Sequence, residues 1–292
     1  MGKYYIYYNP KSGNGAGKNA AAKLSSILEG EKEFIDVLTL DGYAKSFSDL
    51  TPDDTIVICG GDGTLNRFVN DIDGILPENE ILYYATGSGN DFLHDLELES
   101  GTNPIPIRKY ITNLPTVEVN GKKYKFINGI GYGIDGYCCE VGDKMRETTD
   151  KPINYTPIAI RGLLFHYKPT NATITVDGDT KTYKKVWLAP TMNGRFFGGG
   201  MMPAPKQDRL NNETVSTLAM YGCGKLKALM VFPSIFKGEH IKHTDIVEVL
   251  TGKNVTVEFD RPTALQIDGE TILGVTKYTV HAYQSEKVLE TV

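Results

Sequence analysis

At 292 residues, 40% hydrophobic and 23% charged, the chain has the composition of a folded globular protein and a length that suits two domains better than one. A formal charge of −5 argues against a nucleic-acid binder. Four cysteines (Cys59, Cys138, Cys139, Cys223) with no CxxC spacing suit neither a zinc site nor a disulfide framework, which points to a reducing compartment. The charge is unevenly placed: residues 1–120 carry 9 Lys and Arg against 18 Asp and Glu, residues 121–292 carry 22 against 18, so the two parts are expected to meet different partners.

The N-terminus, MGKYYIYYNP, enters strand-like sequence at once without the apolar core of a signal peptide, and Ile6 stands where a myristoylation signal wants Ser or Thr. No apolar run reaches membrane-spanning length. The expectation is a cytoplasmic protein, any membrane contact being peripheral and at the inner face.

Tyr4 to Tyr8 predicts a first strand. The loop Asn9-Pro10-Lys11-Ser12-Gly13-Asn14-Gly15-Ala16-Gly17-Lys18 follows, then a helix from about Asn19 to Leu28. That loop is glycine-rich but fits neither a Walker A motif nor GxGxxG, because Ser12, Asn19 and Lys18 occupy the deciding places. Phe34 to Leu40 predicts a second strand. The third is Ile56 to Ile58, a β-branched run that breaks at Gly60-Gly61-Asp62-Gly63 and restarts as a helix, with Thr64 the expected N-cap and Leu65, Phe68, Val69 and Ile72 at helical spacing. Such a corner aims backbone N–H groups and a helix dipole at one spot, a seat for phosphate; alone, it reads equally well as a tight βα turn. Ile81 to Ala85 is the fourth strand, opening onto Thr86-Gly87-Ser88-Gly89-Asn90-Asp91 and a short helix with Phe92, Leu93 and Leu96. Alternating β and α implies a largely parallel sheet, whose strand C-termini share one edge where three glycine loops can converge on a polyphosphate.

From about Pro115 the pattern becomes antiparallel β. Strands are expected at Thr116–Val119, Lys122–Asn128, Ala172–Val176, Thr182–Ala189, Val215–Met220, Asn254–Phe259, Ala264–Ile267 and Tyr278–Ala282, with hairpin signals at Asn120-Gly121 and Asp177-Gly178. Gly131-Tyr-Gly133-Ile-Asp-Gly136 satisfies GxGxxG but sits among hairpin strands, so it is not expected to bind a dinucleotide. Ile158 to Tyr167 and Lys225 to His243 mix basic and apolar residues, either core-packed helices with a solvated face or segments that rest on anionic lipid. Met201-Met202 reads as pocket lining or as core, and Arg195 as a phosphate contact or a salt-bridge partner.

With these residues assembled, the chain resembles the diacylglycerol kinase catalytic-domain family, particularly its stand-alone bacterial lipid kinases. NPKSG at 9–13, GGDGTLN at 60–66, TGSGNDF at 86–92, GRFFGGG at 194–200 and DGE at 268–270 carry the likeness in the family's order, with GEHIKH at 238–243 a weaker match. GGDGT by itself is shared with NAD kinases and phosphofructokinases. The resemblance implies an NAD-kinase-like fold: an α/β nucleotide domain with a mostly parallel sheet over 1–115, an antiparallel β-sandwich domain over 116–282, and a segment about 283–292 returning to the first. It also implies ATP contacts at Asn9, Pro10, Lys11, Ser12 and Gly13, at Thr39, at Gly60, Gly61, Asp62, Gly63, Thr64, Leu65 and Asn66, and at Ser88 with Gly89 and Asn90.

The chemistry needs charge neutralisation in an acidic domain, so Mg²⁺ is the expected bridge and Asp62 the candidate to hold it; Asp62 as a plain Asx-turn residue is the alternative. Asp268-Gly269 is locally a hairpin turn, whereas the resemblance makes Glu270 the base that takes the acceptor's proton, with Asp268 its neighbour. A structural Mg²⁺ in the family falls at Arg209, Asn212 and Thr214, where Asn211-Asn212 replaces the expected acidic pair and offers no charge. The function implied is ATP- and Mg²⁺-dependent phosphorylation of a lipid hydroxyl, diacylglycerol giving phosphatidic acid. The alternatives are a sphingoid, ceramide or other lipid kinase, an NAD kinase, or a nucleotide-binding regulator with weak catalysis. Expected partners are a lipid presented by a membrane surface and a second copy in a homodimer, with no nucleic acid.

Overall fold

The computed structural model describes residues 2–72, 76–87, 89–148, 153, 155–210 and 213–283. Five strands form the first sheet: β1 (Tyr4–Tyr8), β2 (Lys32–Asp36), β3 (Thr55–Gly60), β4 (Glu80–Ala85) and β5 (Ile105–Pro106), in the order β2-β1-β3-β4-β5. All pairs are parallel except β4 with β5. The β-branched run of β3 is buried on both faces. Val57 and Cys59 pack with Ile6 against Ala21 and Leu24 of the Gly17–Ile27 helix, while Ile56 and Ile58 pack with Tyr7 and Tyr83 against Leu65 and Phe68 of the Asp62–Asp71 helix. Because the parallel strands point the same way, their following loops gather at one sheet edge.

The second sheet is antiparallel and has ten strands. They are β6 (Thr116–Val119), β7 (Lys122–Lys125), β8 (Gly129–Tyr132), β9 (Thr170–Val176), β10 (Asp179–Val186), β11 (Thr191–Met192), β12 (Val215–Met220), β13 (Val247–Gly252), β14 (Asn254–Ile267) and β15 (Glu270–His281). The main path is β13-β12-β11-β8-β14-β15-β6-β7; β9 pairs with β14 and β10 with β9. The Asn-Gly and Asp-Gly turns at 120–121, 177–178 and 268–269 all have two positive-φ residues, the conformation that matches a two-residue hairpin to strand twist.

Several expectations are corrected. The segments 254–259 and 264–267 belong to one strand, β14, whose pairing with β15 slips between Glu258 and Thr263; Pro262, which has no N–H to donate, sits inside that irregularity. GxGxxG at 131–136 runs from β8 into a helix, Ile134–Arg146, rather than lying among hairpin strands. It still offers no dinucleotide seat: a Cβ on Gly131 would lie 1.6 Å from Asp135 Oδ2, so the corner is filled by its own carboxylate, which accepts from Gln266 Nε2 at 2.9 Å. The helix after β3 starts at Asp62 with Gly61 as N-cap, and Thr64 falls inside its first turn. The C-terminal return expected at about 283–292 lies outside the described residues beyond Tyr283.

Candidate active site

The three glycine corners at the edge of the first sheet touch one another. Asn9 Nδ2, after β1, donates to Thr64 Oγ1, after β3, at 2.9 Å, so the Thr64 hydroxyl ties two corners together from inside the first turn of its helix. Ser12 Oγ lies 2.8 Å from Thr86 Oγ1, after β4, and the Thr86 N–H donates to Gly60 O. A Cβ on Gly87 would stand 2.7 Å from Gly61 Cα and one on Gly13 2.6 Å from Thr86 O, so the corners are in backbone contact that a side chain would break. The ten-residue Asp62–Asp71 helix starts at this junction, with the Thr64 and Leu65 N–H groups donating to Gly61 O and those of Asp62 and Gly63 at its very N-terminus.

Asp62 does more than turn the chain. Its Oδ2 accepts from the Asp91 N–H and its Oδ1 from the Phe92 N–H, each at 3.0 Å, so it caps the Asp91–Asp95 helix from outside; Oδ1 also accepts from Asn128 Nδ2 at 3.0 Å. Asp91 is buried and accepts from the N–H groups of Gly199 (2.8 Å) and Gly200 (2.7 Å) in the GRFFGGG loop. Burial, reinforced by the neighbouring Asp62 charge, pushes the Asp91 carboxyl up to about 7.

From the second lobe, the β14–β15 turn brings Asp268 and Glu270 to the same place. Asp268 Oδ1 accepts from the N–H groups of Asn128 and Gly129 (2.9 Å each), and Oδ2 from Ile127 N–H (2.5 Å) and Asn66 Nδ2 (2.8 Å). Burial pushes this carboxyl above the usual range, against the pull of the three backbone donors and the amide. Glu270 is exposed, and its Oε1 stands 4.0 Å from where a Cβ on Gly63 would lie, so it faces the glycine turn after β3 across the cleft.

Behind this, a buried ion-pair cluster joins the lobes. Asp95 Oδ2 accepts from Arg209 Nε at 2.5 Å and Oδ1 from Arg195 Nε at 2.9 Å, while Arg209 also donates to Ile127 O and Asn128 Oδ1 and lies over the Phe92 ring. Arg195 is thus a salt-bridge residue. A pocket of about 600 Å³ opens beside the third corner, between Asn90, Leu93 and His94 on one side and Arg195, Phe196 and Met202 on the other.

Not every expected position joins the junction through its side chain. Leu65 is fully buried in the core and offers only backbone. Asn66 turns its amide to Asp268 and Lys125 O. Lys11 is exposed, its N–H donating to Asn9 Oδ1. Thr39 lies beyond the end of β2, on the same sheet edge, with its hydroxyl donating locally to Asp36 O. Asn90 holds a left-handed conformation, donates to Gly87 O, and leaves Oδ1 buried without a partner. At the expected structural-metal loop, Arg209 commits its side chain to Asp95, and Thr214 O accepts from Gln207 Nε2 at 3.0 Å. Ser88 and Asn212 lie outside the described residues. Sequence reading passed over Asn128, the residue that touches Asp62, Arg209 and, through its N–H, Asp268; nothing local marks it. Asp91 was within a quoted motif, but its partners Gly199 and Gly200 lie 108 and 109 residues away in sequence.

Comparison with known proteins shows the family and the fold. The family profile described as Diacylglycerol kinase catalytic domain matches residues 3–118, and the YegS C-terminal NAD kinase beta sandwich-like domain matches residues 128–283. A protein of Mycobacterium tuberculosis named Diacylglycerol kinase is 26% identical over 274 residues, 88% of this chain and 85% of the relative. One of Bacillus subtilis named "Putative lipid kinase YtlR" is 25% identical over 257 residues, 81% and 80% of the two chains. A solved structure of "a putative diacylglycerol kinase from Bacillus anthracis str. Sterne" shares the fold with a TM-score of 0.67 at 18% identity, covering 97% of this chain and 92% of that one. Two domain profiles matched in order across nearly the whole length, on a fold of the same kind, mean that the chain belongs to the diacylglycerol kinase catalytic-domain family and is a phosphotransferase with an alcohol group as acceptor.

Proposed function

We propose that the chain transfers the γ-phosphoryl group of ATP to the free hydroxyl of a diacylglycerol, giving phosphatidic acid. The observation that carries this reading is the meeting of three glycine corners with Glu270 facing them from the other lobe. The corners fit a polyphosphate: backbone approaches closely where no Cβ intervenes, and a helix N-terminus opens onto the junction. Mg²⁺ fits as well. Asp62 uses three acceptor positions on protein donors and keeps one on Oδ2, Asp91 is a second carboxylate beside it, and Asn90 Oδ1 is an acceptor without a donor. Among the described residues no three His, Cys, Asp or Glu side chains gather into a ready-made cage, which suits a cation held by one or two carboxylates, water and phosphate oxygens. When bound, the ion would neutralise phosphate charge in a lobe that is itself acidic.

The protein's own contribution is placement and proton handling. Asp268 fixes the β14–β15 turn through four donors, which sets where Glu270 can reach; Glu270, solvated and opposite Gly63, accepts the proton of the acceptor hydroxyl. The pocket lined by Leu93, Phe196 and Met202 supplies an apolar wall for the acyl part of the acceptor beside the third corner. No helix among the described residues is long and apolar enough to cross a membrane. The deciding experiment is transfer of labelled γ-phosphate to a lipid panel of diacylglycerol, ceramide, sphingoid base and NAD, with the product identified by mass spectrometry. Label appearing only on NAD or a sphingoid base, and none on diacylglycerol, refutes the substrate assignment.

A further inference from the structure

The Lys225–Val231 helix carries apolar residues on both faces. Ala228 and Val231 point inward and join the core around Trp187 and Leu163, whereas Leu226 and Met230 stand 71% and 67% exposed on the opposite side. A helix of a globular protein ordinarily covers one face and solvates the other, so a second apolar face needs an occupant. The helix packs beside the Gly162–His166 turn, where Lys225 Nζ donates to Leu164 O at 2.7 Å and Phe165 is 72% exposed. It continues directly into Phe232–Lys237, which leaves Phe236 half exposed. The rim is basic: Arg161, Lys168 and Lys237 have no ion pair among the described residues, while the nearby acids Asp245 and Glu239 are paired to Lys227 and Lys242. This face also adjoins the pocket of the active site, because Met202 N–H donates to Ile235 O at 3.1 Å and Met202 is part of the pocket wall.

We propose that this face docks on a lipid bilayer bearing anionic headgroups, with Phe165, Leu226 and Met230 entering the acyl boundary and the Arg161, Lys168 and Lys237 charges at headgroup level. The assignment of a bilayer rather than a protein rests on the lipid-kinase reading above and on the charge of the rim. Docking in this pose puts the Met202 side of the pocket at the membrane surface, so an acceptor reaches the glycine corners without crossing water.

The test is flotation of the full chain with vesicles of phosphatidylcholine alone or mixed with phosphatidylglycerol, with neither ATP nor diacylglycerol present. The wild type co-floats with the mixed vesicles. A Phe165→Glu, Leu226→Glu, Met230→Glu variant loses at least about tenfold in partitioning, and Lys168→Gln with Lys237→Gln loses about fivefold per lysine and only on mixed vesicles. A serine version of the triple variant repeats the loss without added charge. Melting of each variant is checked against wild type, and phosphorylation of dispersed short-chain diacylglycerol is unchanged. Vesicle binding by the triple variants equal to wild type overturns the proposal. So does their conversion of a wild-type dimer to monomer with flotation unaltered, which would make the face a contact between copies. Flotation that succeeds while no diacylglycerol is phosphorylated refutes the function and leaves the docking surface standing.

Discussion

Replacing Asp268 by Asn separates the two carboxylates of the β14–β15 turn. Each Asp268 oxygen accepts two donors, Asn128 and Gly129 N–H on one and Ile127 N–H and Asn66 Nδ2 on the other. An amide has one acceptor oxygen, so whichever way it is turned, two donors face an NH₂ group. Hydrogen bonds to a charged group contribute about 1.5–3 kcal/mol each, giving a loss of about 3–6 kcal/mol, with the lower figure favoured because the turn is partly open to water. Against a whole-chain stability of roughly 5–15 kcal/mol that is a large fraction, corresponding to a melting temperature lower by about 6–12 °C. Burial works the other way, since it favours a neutral group here and pushes the carboxyl up. The donor count decides between them, because burial is relieved only for the substituted group while two donors stay buried and unpaired. Thermal and urea denaturation of Asp268→Asn, of Asn66→Ala and of the double variant measures the loss and the coupling between lobes. Melting of Asp268→Asn at or above wild type would mean that burial outweighs the donors and that the turn is not held as argued.

Glu270→Gln carries no such structural cost, because the side chain is exposed; it is expected to melt as wild type and to lose on the order of 10²–10⁴-fold in kcat, with undiminished turnover refuting its role as base. A Cβ on Gly194 would stand 2.2 Å from Arg209 Nη2 and 2.6 Å from Asp95 Oδ2, so Gly194→Ala should destabilise by about 1–3 kcal/mol in urea denaturation; full retention of stability would show the ion-pair cluster to be compliant. Burial raises the Asp135 carboxyl from 3.8 to about 6, so its contribution to stability is full below the unfolded value and is lost as pH rises through about 6. Asp135→Asn should therefore gain melting temperature relative to wild type on going from about pH 4 to about pH 7, and parallel curves over that range would show that this carboxylate does not titrate there.

What could be read from the sequence was whatever is encoded within a dozen residues. Gly60-Gly61-Asp62-Gly63 after a β-branched run, and Asp268-Gly269 between apolar strands, declare turns by local sterics, and three repeats of strand, glycine loop and helix imply a shared edge. The helix at Ile134–Arg146 was hidden because its first turns, rich in Gly, Tyr and Cys, have poor intrinsic helix propensity; packing against β14, where a Cβ on Gly136 would lie 1.9 Å from Ala264 O, overrides it. Arg209 gave no sign of its role, for its partner Asp95 is 114 residues away, and neither end of a buried ion pair is marked by its own neighbours. Asn128 escaped for the same reason: its importance is a matter of what surrounds it in space.

The bond from Asn66 to Asp268 spans 202 residues of chain. At synthesis rates of about 5–20 residues per second, Asn66 precedes its partner from the ribosome by on the order of 10–40 s. Until residue 128 is made Asp62 lacks its Asn128 donor, until residues 199 and 200 are made Asp91 lacks the two glycine N–H groups, and until residue 268 is made the turn that carries Glu270 does not exist. A chain that stops short of residue 268 therefore carries the three glycine corners without the turn that faces them from the second lobe, so the site proposed above is complete only once the last two strands have been made.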